Sequence, residues 1–359
     1  MPSLMKAWRL SRPGGALVVK DIAIPEPRPG SVLVRIEASV LMSYLKGYVE
    51  GQLPFYNPPR GEFTIGTNGV GTVEAVGRDV WHIEPGQRVL LSSHFIARDN
   101  VDDPAEVLIG LTAGAGTDAM LADWPDGTLA EFALLPVEAI TPAEGLDHLS
   151  ALQLAAVTRC IVPFGGLLRG RLAAGETLIV TGATGAYGTA AVLLAVAMGA
   201  ARVVAAGRNR TALDAVAKAG GPRVVTVTLQ GNPAEDAAAL RAAAGGGAHM
   251  AFDMVGNATD PNATLAALHS LRRGGRLVLM GSMTTPLPLP YTLTMLHSWE
   301  ILGQFMYPAS AYRRLLDLLR GGLLDITAIK TRPYPLAELP KAMEAAAAAG
   351  NLECIVMQP

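Results

Sequence analysis

The segment from residue 178 to residue 208 constrains the fold of this chain more than any other. It begins with the apolar run Leu178-Ile179-Val180, which predicts a strand, and leads through a glycine-rich turn into an alanine-rich helix from Thr189 to Met198. A second apolar run, Ala201 to Ala206, predicts the next strand. A strand, a glycine turn, a helix and a strand in this order are typical of a parallel sheet that binds a dinucleotide, with the pyrophosphate at the N terminus of the helix.

The turn has the spacing of the dinucleotide motif G-x-G-x-x-G with one departure. Ala183 stands in place of the first glycine, and Gly185 and Gly188 occupy the other two positions. Glycine at these two positions allows a pyrophosphate to approach the backbone and the helix to pack against the strand. A similar turn also occurs in α/β proteins that bind no nucleotide, and this alternative stays open. The cofactor contacts expected from the turn are Thr184, Gly185, Ala186 and Tyr187.

The residues after the second strand indicate which dinucleotide is bound. NAD-binding proteins carry an acidic residue there, about 20 residues after the turn, to hold the ribose 2′-hydroxyl. This chain has Gly207-Arg208-Asn209-Arg210 instead. No carboxylate there would repel a 2′-phosphate, and Arg208 can pair with one, so the sequence favours NADPH over NADH. Gly207, Arg208 and Asn209 are the expected contacts, although an arginine at a strand end can also be a solvated surface charge.

Length and composition limit the class of protein and its partners. The chain has 359 residues, 50% of them hydrophobic, which is enough for two domains with separate cores. A net charge of -2 with scattered basic residues argues against nucleic acid and favours a small-molecule partner. Residues 1–20 contain four basic residues and no long apolar stretch, so we expect no signal peptide, no membrane partner and a cytoplasmic protein. Cys160 and Cys354 lie too far apart in sequence to indicate a disulfide framework or a cysteine-based zinc site.

The pattern of the chain changes near residue 155. Residues 1–155 contain short β-rich runs separated by turn clusters, which predicts a mainly antiparallel domain. Residues 156–308 alternate strands with helices, which predicts a doubly wound parallel sheet, and residues 309–359 are expected to return to the first domain. The fold class is therefore α/β. The strands expected after the dinucleotide motif are Val224 to Thr228, His249 to Met254, Arg276 to Met280 and Glu300 to Phe305.

Several short motifs resemble one superfamily across nearly the whole chain. They are the glycine-rich turn, Asp126-Gly127 followed by Ala130-Glu131-Phe132, Asp253-Met254-Val255-Gly256, Gly274 to Gly281, and Tyr334-Pro335-Leu336 with Ala342. Together they resemble the medium-chain dehydrogenase/reductase (MDR) superfamily. The resemblance implies a GroES-like catalytic domain, 1–155 completed by 309–359, and a Rossmann NAD(P)-binding domain, 156–308, with the active site between them.

The same resemblance implies further contacts. Val255, Gly256, Gly281 and Ser282 follow strands at the carboxyl edge of the parallel sheet and are expected to approach the ribose and nicotinamide. Glycine at a strand end is also ordinary turn chemistry, so this interpretation has an alternative. The segment Trp299 to Tyr307 resembles the edge strand through which relatives pair, which implies a homodimer.

The positions of the catalytic metal in zinc-dependent members carry other residues here. Their Cys-His-(Ser/Thr)-Asp segment corresponds to Met42-Ser43-Tyr44-Leu45, and their Gly-His-Glu corresponds to Gly66-Thr67-Asn68. Zinc prefers Cys, His and carboxylate ligands, so we expect no zinc, and the chain resembles the zinc-independent quinone oxidoreductases. Cys160 lies near a third ligand position but is interpreted as a core residue. His94 and Asp118 are weaker alternative ligands.

A site without a Lewis acid favours substrates that are already polarised to accept hydride. Tyr56 lies in a loop that resembles the tyrosine-bearing loop of enoyl thioester reductases, and we expect it to be the proton donor or the partner of the oxyanion. Tyr44 can play the same part, and Thr67 and Asn68 can orient the carbonyl or the nicotinamide ribose. The alternatives are that Tyr56 anchors a proline-rich loop and that Tyr44 fills the metal pocket.

The sequence thus predicts a cytoplasmic, zinc-independent, NADPH-dependent reductase of a C=C bond conjugated to a carbonyl, as in an enone, a quinone or an enoyl thioester. Two alternatives stay open. One is a carbonyl reductase or alcohol dehydrogenase of the same superfamily. The other is an NADPH-binding protein with a non-catalytic role.

Overall fold

The computed structural model describes residues 3–359, which divide into two compact units. The first unit contains the chain up to Thr158 together with Ile329–Ala349 and Glu353–Pro359. The second contains Arg159–Ala328 and Gly350–Leu352. Each unit has its own sheet and its own core.

The chain forms both strands and helices, as expected of an α/β protein. The strands are β1 (Leu4–Leu10), β2 (Leu17–Ala23), β3 (Ser31–Val40), β4 (Phe63–Thr64), β5 (Gly69–Val76), β6 (Arg88–Leu91), β7 (His94–Ile96), β8 (Glu106–Leu108), β9 (Thr112–Ala113), β10 (Phe132–Pro136), β11 (Ile140–Pro142), β12 (Thr177–Thr181), β13 (Arg202–Gly207), β14 (Val224–Thr228), β15 (Ala248–Asp253), β16 (Gly256–Ala258), β17 (Leu271–Leu279), β18 (Ser282–Met283), β19 (Glu300–Gly303), β20 (Lys330–Pro335) and β21 (Glu353–Gln358). The helices are α1 (Leu45–Val49), α2 (Asp118–Asp123), α3 (Ala151–Thr158), α4 (Ile161–Arg169), α5 (Ala186–Ala197), α6 (Arg210–Gly220), α7 (Pro233–Ala243), α8 (Asn262–His269), α9 (Tyr291–His297), α10 (Ala311–Arg320) and α11 (Leu339–Ala348).

The first unit is built on a mainly antiparallel sheet. Its strand order is β11-β6-β5-β3-β21-β20, with β10 paired to β3, and only β20 and β21 run parallel. Two smaller sheets, β2-β1-β4 and β7-β8-β9, complete it. Residues of β3 and β5 that are buried in the core include Val32, Val34 and Val73, and each such side chain contributes roughly 1.5 to 3 kcal/mol on burial. The C-terminal strands therefore complete the sheet that the N-terminal segment begins.

The second unit contains the parallel sheet that the sequence predicts. Its strand order is β14-β13-β12-β15-β17-β19, and all neighbours are parallel. The strands are buried on both faces, as Ile179, Val204 and Leu277 show with 0% exposure. The order reverses between β12 and β15, and an open α/β sheet binds its ligand at such a point, beyond the carboxyl ends of its strands.

One boundary differs from the sequence-based expectation. Residues 309–328, expected in the first domain, belong to the second unit. The reason is packing: Tyr312 in α10 is buried and its ring meets that of Tyr307 at 5.7 Å between centroids. The chain returns to the first unit only at Ile329.

One segment is long and apolar enough to cross a membrane. It is Ala151–Arg169, and 72% of its apolar window is buried inside the protein. A core helix has the same properties, so the observation is weak support for a membrane span.

Candidate cofactor and catalytic sites

The glycine-rich turn is tightly packed on one side and open on the other. Gly182 has φ +67°, and a Cβ there would lie 2.6 Å from the carbonyl oxygen of Met254. A Cβ on Gly188 would overlap the carbonyl oxygen of Gly182. At Gly185, the N-cap of α5, the nearest atom to a Cβ is 3.4 Å away. The turn therefore leaves room for a ligand at the helix N terminus, where backbone N–H groups lack intrahelical partners.

A cavity of about 370 Å³ lies beside this turn, within the second unit. It is lined by the turn, by the end of β13, by the segment after β14 and by the segment after β15. Ala186, Tyr187 and Asn209 are not among its lining residues, and neither are Gly281 and Ser282. Six of the residues predicted to contact the cofactor line it: Thr184, Gly185, Gly207, Arg208, Val255 and Gly256. Both the empty space at Gly185 and these residues fit a dinucleotide.

The three polar residues after β13 have different environments. Asn209 caps α6 by accepting the backbone N–H of Ala212 at 3.1 Å, and Arg210 pairs with Asp214 at 2.8 Å. The Arg208 side chain is exposed and lines the cavity, and across residues 3–359 it has no hydrogen bond or ion pair. Arg208 is thus the residue of this group whose charge is available to a ligand.

The segments after β15 and β17 are hydrogen-bonded to each other. The N–H of Ser282 donates to the carbonyl of Val255 at 3.0 Å, and the N–H of Asn257 donates to the Ser282 hydroxyl at 3.0 Å. A Cβ on Gly281 would lie 2.5 Å from the Val255 carbonyl oxygen, which explains the glycine. Gly281 and Ser282 therefore support Val255 and Gly256, which line the cavity.

Two buried carboxylates near this cavity were missed by the sequence analysis. Asp236 is 2% exposed and accepts the backbone N–H groups of Gln230 and Gly231 at 2.8 and 2.9 Å. Asp253 is 4% exposed and accepts the N–H of Val255 and two threonine hydroxyls. The sequence signal for Asp236 is its place in the first turn of a helix that begins Asn232-Pro233. Asp253 lies in the motif Asp253-Met254-Val255-Gly256, but the motif alone does not indicate what its side chain contacts.

In the first unit, the two tyrosines predicted to act in catalysis lie close together. The rings of Tyr44 and Tyr56 are 6.2 Å apart, and that of Tyr48 is 5.3 Å from Tyr56. The Tyr44 hydroxyl donates to the sulfur of Met42 at 2.8 Å, and the Tyr48 hydroxyl donates to the Leu111 carbonyl at 2.7 Å. Tyr48, which was not predicted as a site residue, is fully buried and packs against the ring of Tyr56.

Burial sets the protonation of this cluster. It raises the pKa of Tyr56 above the usual 10.0, and a hydrogen bond with Tyr44 partly opposes the shift. Burial also raises the pKa of Tyr48. Both phenols are therefore protonated at neutral pH, which is the state that a proton donor requires.

The loop that carries Tyr56 is fixed at Asn57. The Asn57 backbone N–H donates to the Thr112 hydroxyl at 2.8 Å, its carbonyl accepts from Ala113, and its side-chain amide donates to Asp118 at 2.7 Å. The Tyr56 ring is half-buried. Both interpretations of Tyr56, as loop anchor and as proton donor, are compatible with this geometry.

Thr67 and Asn68, which are predicted to orient the carbonyl or the nicotinamide ribose, form hydrogen bonds within the protein. Thr67 is fully buried, and its hydroxyl lies 2.9 Å from that of Thr128. The side-chain oxygen of Asn68 accepts the N–H and hydroxyl of Ser93 at 2.9 and 3.1 Å. Because these groups already satisfy interior hydrogen bonds, they are less suited to orient a substrate.

The alternative metal ligands, His94 and Asp118, each interact with a different side chain. The His94 ring lies 2.7 Å from Glu106, and Asp118 accepts from Asn57. Cys160 and Cys354 are buried free thiols. Within residues 3–359, no group of three or more His, Cys, Asp or Glu side chains is arranged to hold a metal ion.

Comparison with known proteins shows both domains. Residues 28–145 match the family model described as the alcohol dehydrogenase GroES-like domain, and residues 186–321 match that described as zinc-binding dehydrogenase. The L-threonine 3-dehydrogenase of Anaeromyxobacter dehalogenans (strain 2CP-C) is 25% identical over 359 residues, covering 96% of this chain and 95% of that protein. The sorbitol dehydrogenase of Macaca fascicularis is 25% identical over 331 residues, covering 92% and 89%.

A solved structure shows the same fold. It is that of the cobalt- and zinc-bound thermostable alcohol dehydrogenase from Pyrobaculum aerophilum, with a TM-score of 0.79 and 20% identity over 99% of this chain and 100% of that one. The predicted pairing of a GroES-like domain with a Rossmann domain is confirmed.

The comparisons correct two expectations. The prediction that the protein works without zinc is contradicted, since the family model that matches residues 186–321 is that of zinc-binding dehydrogenases. The predicted quinone oxidoreductase branch is not supported either, because the similar relatives are named as dehydrogenases of threonine and sorbitol. The side chains of residues 3–359 do not form a cluster that fits zinc, so the structure assigns no position to the metal.

The two domain models and the relatives, which match along nearly their whole length, lead to one assignment. The chain belongs to the medium-chain dehydrogenase/reductase superfamily, as an NAD(P)-dependent oxidoreductase with a GroES-like domain and a Rossmann cofactor domain.

Proposed function

We propose that this protein interconverts an alcohol and the corresponding carbonyl compound with a nicotinamide dinucleotide. The observation that carries the proposal is the cavity at the N terminus of α5, with the open position at Gly185. The names of the two relatives, which are dehydrogenases of hydroxylated substrates, favour this reaction over the reduction of an activated alkene.

The second unit binds and orients the cofactor. The N terminus of α5 attracts the pyrophosphate, and the wall at Val255 and Gly256 lies beyond the strands on which the nicotinamide half is expected. When bound, the reduced nicotinamide supplies a hydride to the substrate. We assign a preference for NADPH to Arg208, whose unpaired guanidinium can bind a 2′-phosphate in two hydrogen bonds.

The first unit supplies the proton in this proposal. In the direction of reduction the carbonyl carbon gains hydride and its oxygen gains a proton, so the site needs a protonated donor. Tyr56 meets this requirement because burial raises its pKa, and Tyr44, in contact with it, is a second phenol that can hydrogen-bond the substrate oxygen. In the direction of oxidation the same phenol must accept the proton, which is favoured at high pH.

The test is turnover by the purified full-length protein with NADPH and NADH. The substrates are hydroxyketones and simple ketones, compared with enones that have no other reducible group. Oxidation of the cofactor by ketones, with the alcohol as product, is the expected result. Turnover of enones alone, with a saturated ketone as product, would replace the proposal by its alternative.

Reduction of a C=C bond conjugated to a carbonyl remains the second candidate because two phenols are adjacent. Tyr44 and Tyr56 can bind the enolate oxygen with one hydroxyl and protonate the neighbouring carbon with the other. A reaction at the carbonyl group requires only one of them.

We also propose that the protein is a homodimer. β19 is an edge strand of the parallel sheet, and several apolar side chains of the nearby sequence are exposed. Tyr291, Met295 and Leu296 of α9 are 81%, 58% and 57% exposed. An edge strand beside apolar surface is suited to pairing with a second copy of the chain.

A further inference from the structure

Two buried aspartates stand on opposite sides of the central strand of the parallel sheet. Asp236 lies in the first turn of α7, which follows β14, and Asp253 is the last residue of β15. β14 is two strands from β12 on one side, and β15 is next to β12 on the other. Neither carboxylate forms an ion pair with any residue in 3–359, and both accept hydrogen bonds from backbone N–H groups of segments that line the cavity.

Asp236 fixes the segment between β14 and α7. Its Oδ1 accepts the N–H of Gln230 at 2.8 Å and its Oδ2 accepts the N–H of Gly231 at 2.9 Å. The Asn262 side chain donates to the carbonyl of Gly231 at 3.0 Å. Leu229 and Gly231 of this segment line the cavity, so the carboxylate determines the position of one wall.

Asp253 fixes the opposite wall. Its Oδ1 accepts the Thr181 hydroxyl at 2.8 Å and the N–H of Val255 at 3.1 Å, and its Oδ2 accepts the Thr264 hydroxyl at 2.8 Å. It thereby connects the end of β12, the helix α8 and the segment that continues through Gly256. Three donors on one buried carboxylate restrain this segment strongly, because hydrogen bonds to a charged group are about twice as strong as neutral ones.

The strand order decides which half of the cofactor each wall meets. In a doubly wound sheet the dinucleotide lies across the point where the order reverses, with its adenosine beyond the strands that follow the glycine-rich turn. Here those strands are β13 and β14, on the side of Asp236. The nicotinamide half then lies beyond β15 and β17, on the side of Asp253.

We propose that Asp236 and Asp253 are separate positioning residues, Asp236 for the adenosine half of the cofactor and Asp253 for the nicotinamide half. This inference rests on the proposed cofactor site. It assigns independent control of the two halves to two carboxylates that are 2% and 4% exposed, of which Asp236 also lines the cavity.

The two sites differ in their tolerance of asparagine. At position 236 the amide nitrogen of asparagine would face the N–H of Gln230 or Gly231, so two donors would meet. At position 253 the amide can donate to the Thr264 hydroxyl, which is able to accept, while its oxygen keeps Thr181 and Val255. Asparagine should therefore restore the function of Asp253 but not that of Asp236.

The experiment measures the affinity of full-length variants for NADPH and for adenosine 2′,5′-bisphosphate, which lacks the nicotinamide half, by calorimetry. Asp236→Ala and Asp236→Asn should weaken both ligands by about tenfold, as expected for the loss of hydrogen bonds to a charged group. Asp253→Ala should weaken NADPH by about tenfold and leave the bisphosphate unchanged. Asp253→Asn should bind both ligands nearly as the unsubstituted protein does.

Two milder substitutions keep the test decisive if the alanine variants do not fold. Thr264→Val removes one donor to Asp253 at nearly constant volume, and Asp236→Ser shortens the acceptor. Thr264→Val should weaken NADPH alone, and Asp236→Ser should weaken both ligands. Equal changes for both ligands in all variants would show a merely structural role and overturn the inference. Failure of the unsubstituted protein to bind either NADPH or NADH would instead overturn the proposed cofactor site.

Discussion

Among single residues, the charge of Arg208 and the protonation state of Tyr56 matter most for the proposed function. Arg208 has no partner within residues 3–359, whereas its neighbours Asn209 and Arg210 cap α6 and pair with Asp214. A guanidinium without a partner can form charge-assisted hydrogen bonds with a phosphate, and it loses no existing ion pair in doing so. The discrimination between the two dinucleotides is therefore assigned to one side chain.

Replacing Arg208 by alanine should weaken NADPH selectively. The expected loss is about 1.5 to 3 kcal/mol, the typical contribution of a hydrogen bond to a charged group, reduced by solvent because the side chain is exposed. NADH affinity should hardly change. The measurement is titration of both reduced cofactors by nicotinamide fluorescence, with Arg210→Ala as the matched control. Equal losses for NADH and NADPH would remove Arg208 from the site.

Tyr56 determines the expected pH dependence. Because burial raises its pKa above the usual 10.0, the protonated form needed for reduction persists to higher pH than for an exposed tyrosine. The rate of reduction should fall only as the pH rises through this raised pKa. Tyr44→Phe removes the hydrogen bond that lowers the pKa of Tyr56, so the alkaline limb should move to still higher pH.

The check is a pH profile of kcat for the unsubstituted protein, Tyr44→Phe and Tyr56→Phe. Tyr56→Phe should abolish the alkaline limb and lower kcat by about 10² or more, the usual contribution of a general acid. An unchanged profile in Tyr56→Phe would mean that Tyr56 only anchors its loop.

At the scale of elements, the glycine-rich turn combines two functions that can be separated. Gly188 lies against the carbonyl of Gly182, whereas Gly185 has open space before it. Gly188 is therefore required for packing, and we assign Gly185 to the proposed ligand site. Thr184 and Gly207 lie beside it, where a Cβ on Gly207 would be 2.9 Å from the Thr184 side chain.

Alanine at each position should therefore have a different effect. Gly188→Ala should lower the free energy of unfolding by about 1 to 3 kcal/mol, since it forces a Cβ into occupied space. Gly185→Ala should leave stability nearly unchanged and weaken cofactor binding, because its Cβ occupies the place of the phosphate. Urea unfolding and cofactor titration on both variants measure the two effects. Similar losses of stability in both would contradict the assignment.

The elements show what the sequence could predict. The parallel strands follow from short runs rich in apolar and β-branched residues, and β14 coincides with the predicted Val224 to Thr228. The cavity residues of the turn follow from glycine spacing. Asp236 and Asp253 could not be found in this way, because their partners come from segments that meet only in the folded sheet. The contact between the hydroxyls of Thr67 and Thr128 likewise joins residues that are distant in sequence, so the sequence could not show it, and the role predicted for Thr67 stays a prediction.

At the scale of the whole molecule, the chain contains two units with separate tasks. The second contains the cavity beside the glycine-rich turn and the edge strand β19, and the first carries the tyrosine cluster. The family assignment rests on both units, because each matches its own domain model. The expectation of a zinc-free protein is contradicted by the domain family that residues 186–321 match. It is not contradicted by a cluster of side chains within residues 3–359.

If the protein is a dimer, a single substitution at the interface should lower its mass in solution. Leu296→Glu places a charge on the exposed face of α9 and should convert a dimer into a monomer in light scattering after gel filtration. Leu323→Glu, at a residue that is 60% exposed in the same unit, is the matched control and should leave the mass unchanged. A monomeric unsubstituted protein would reject the dimer.

The fate of the hydride distinguishes reduction of a carbonyl group from reduction of an alkene. The full-length protein is incubated with NADPH deuterated at the transferable position and with a hydroxyketone, and the product is examined by NMR. Deuterium on the carbinol carbon of an alcohol is the predicted result, since the account has hydride added to the carbonyl carbon. Deuterium at the β-carbon of an added enone, with the ketone left unreduced, or retention of all deuterium in the cofactor, would contradict the account.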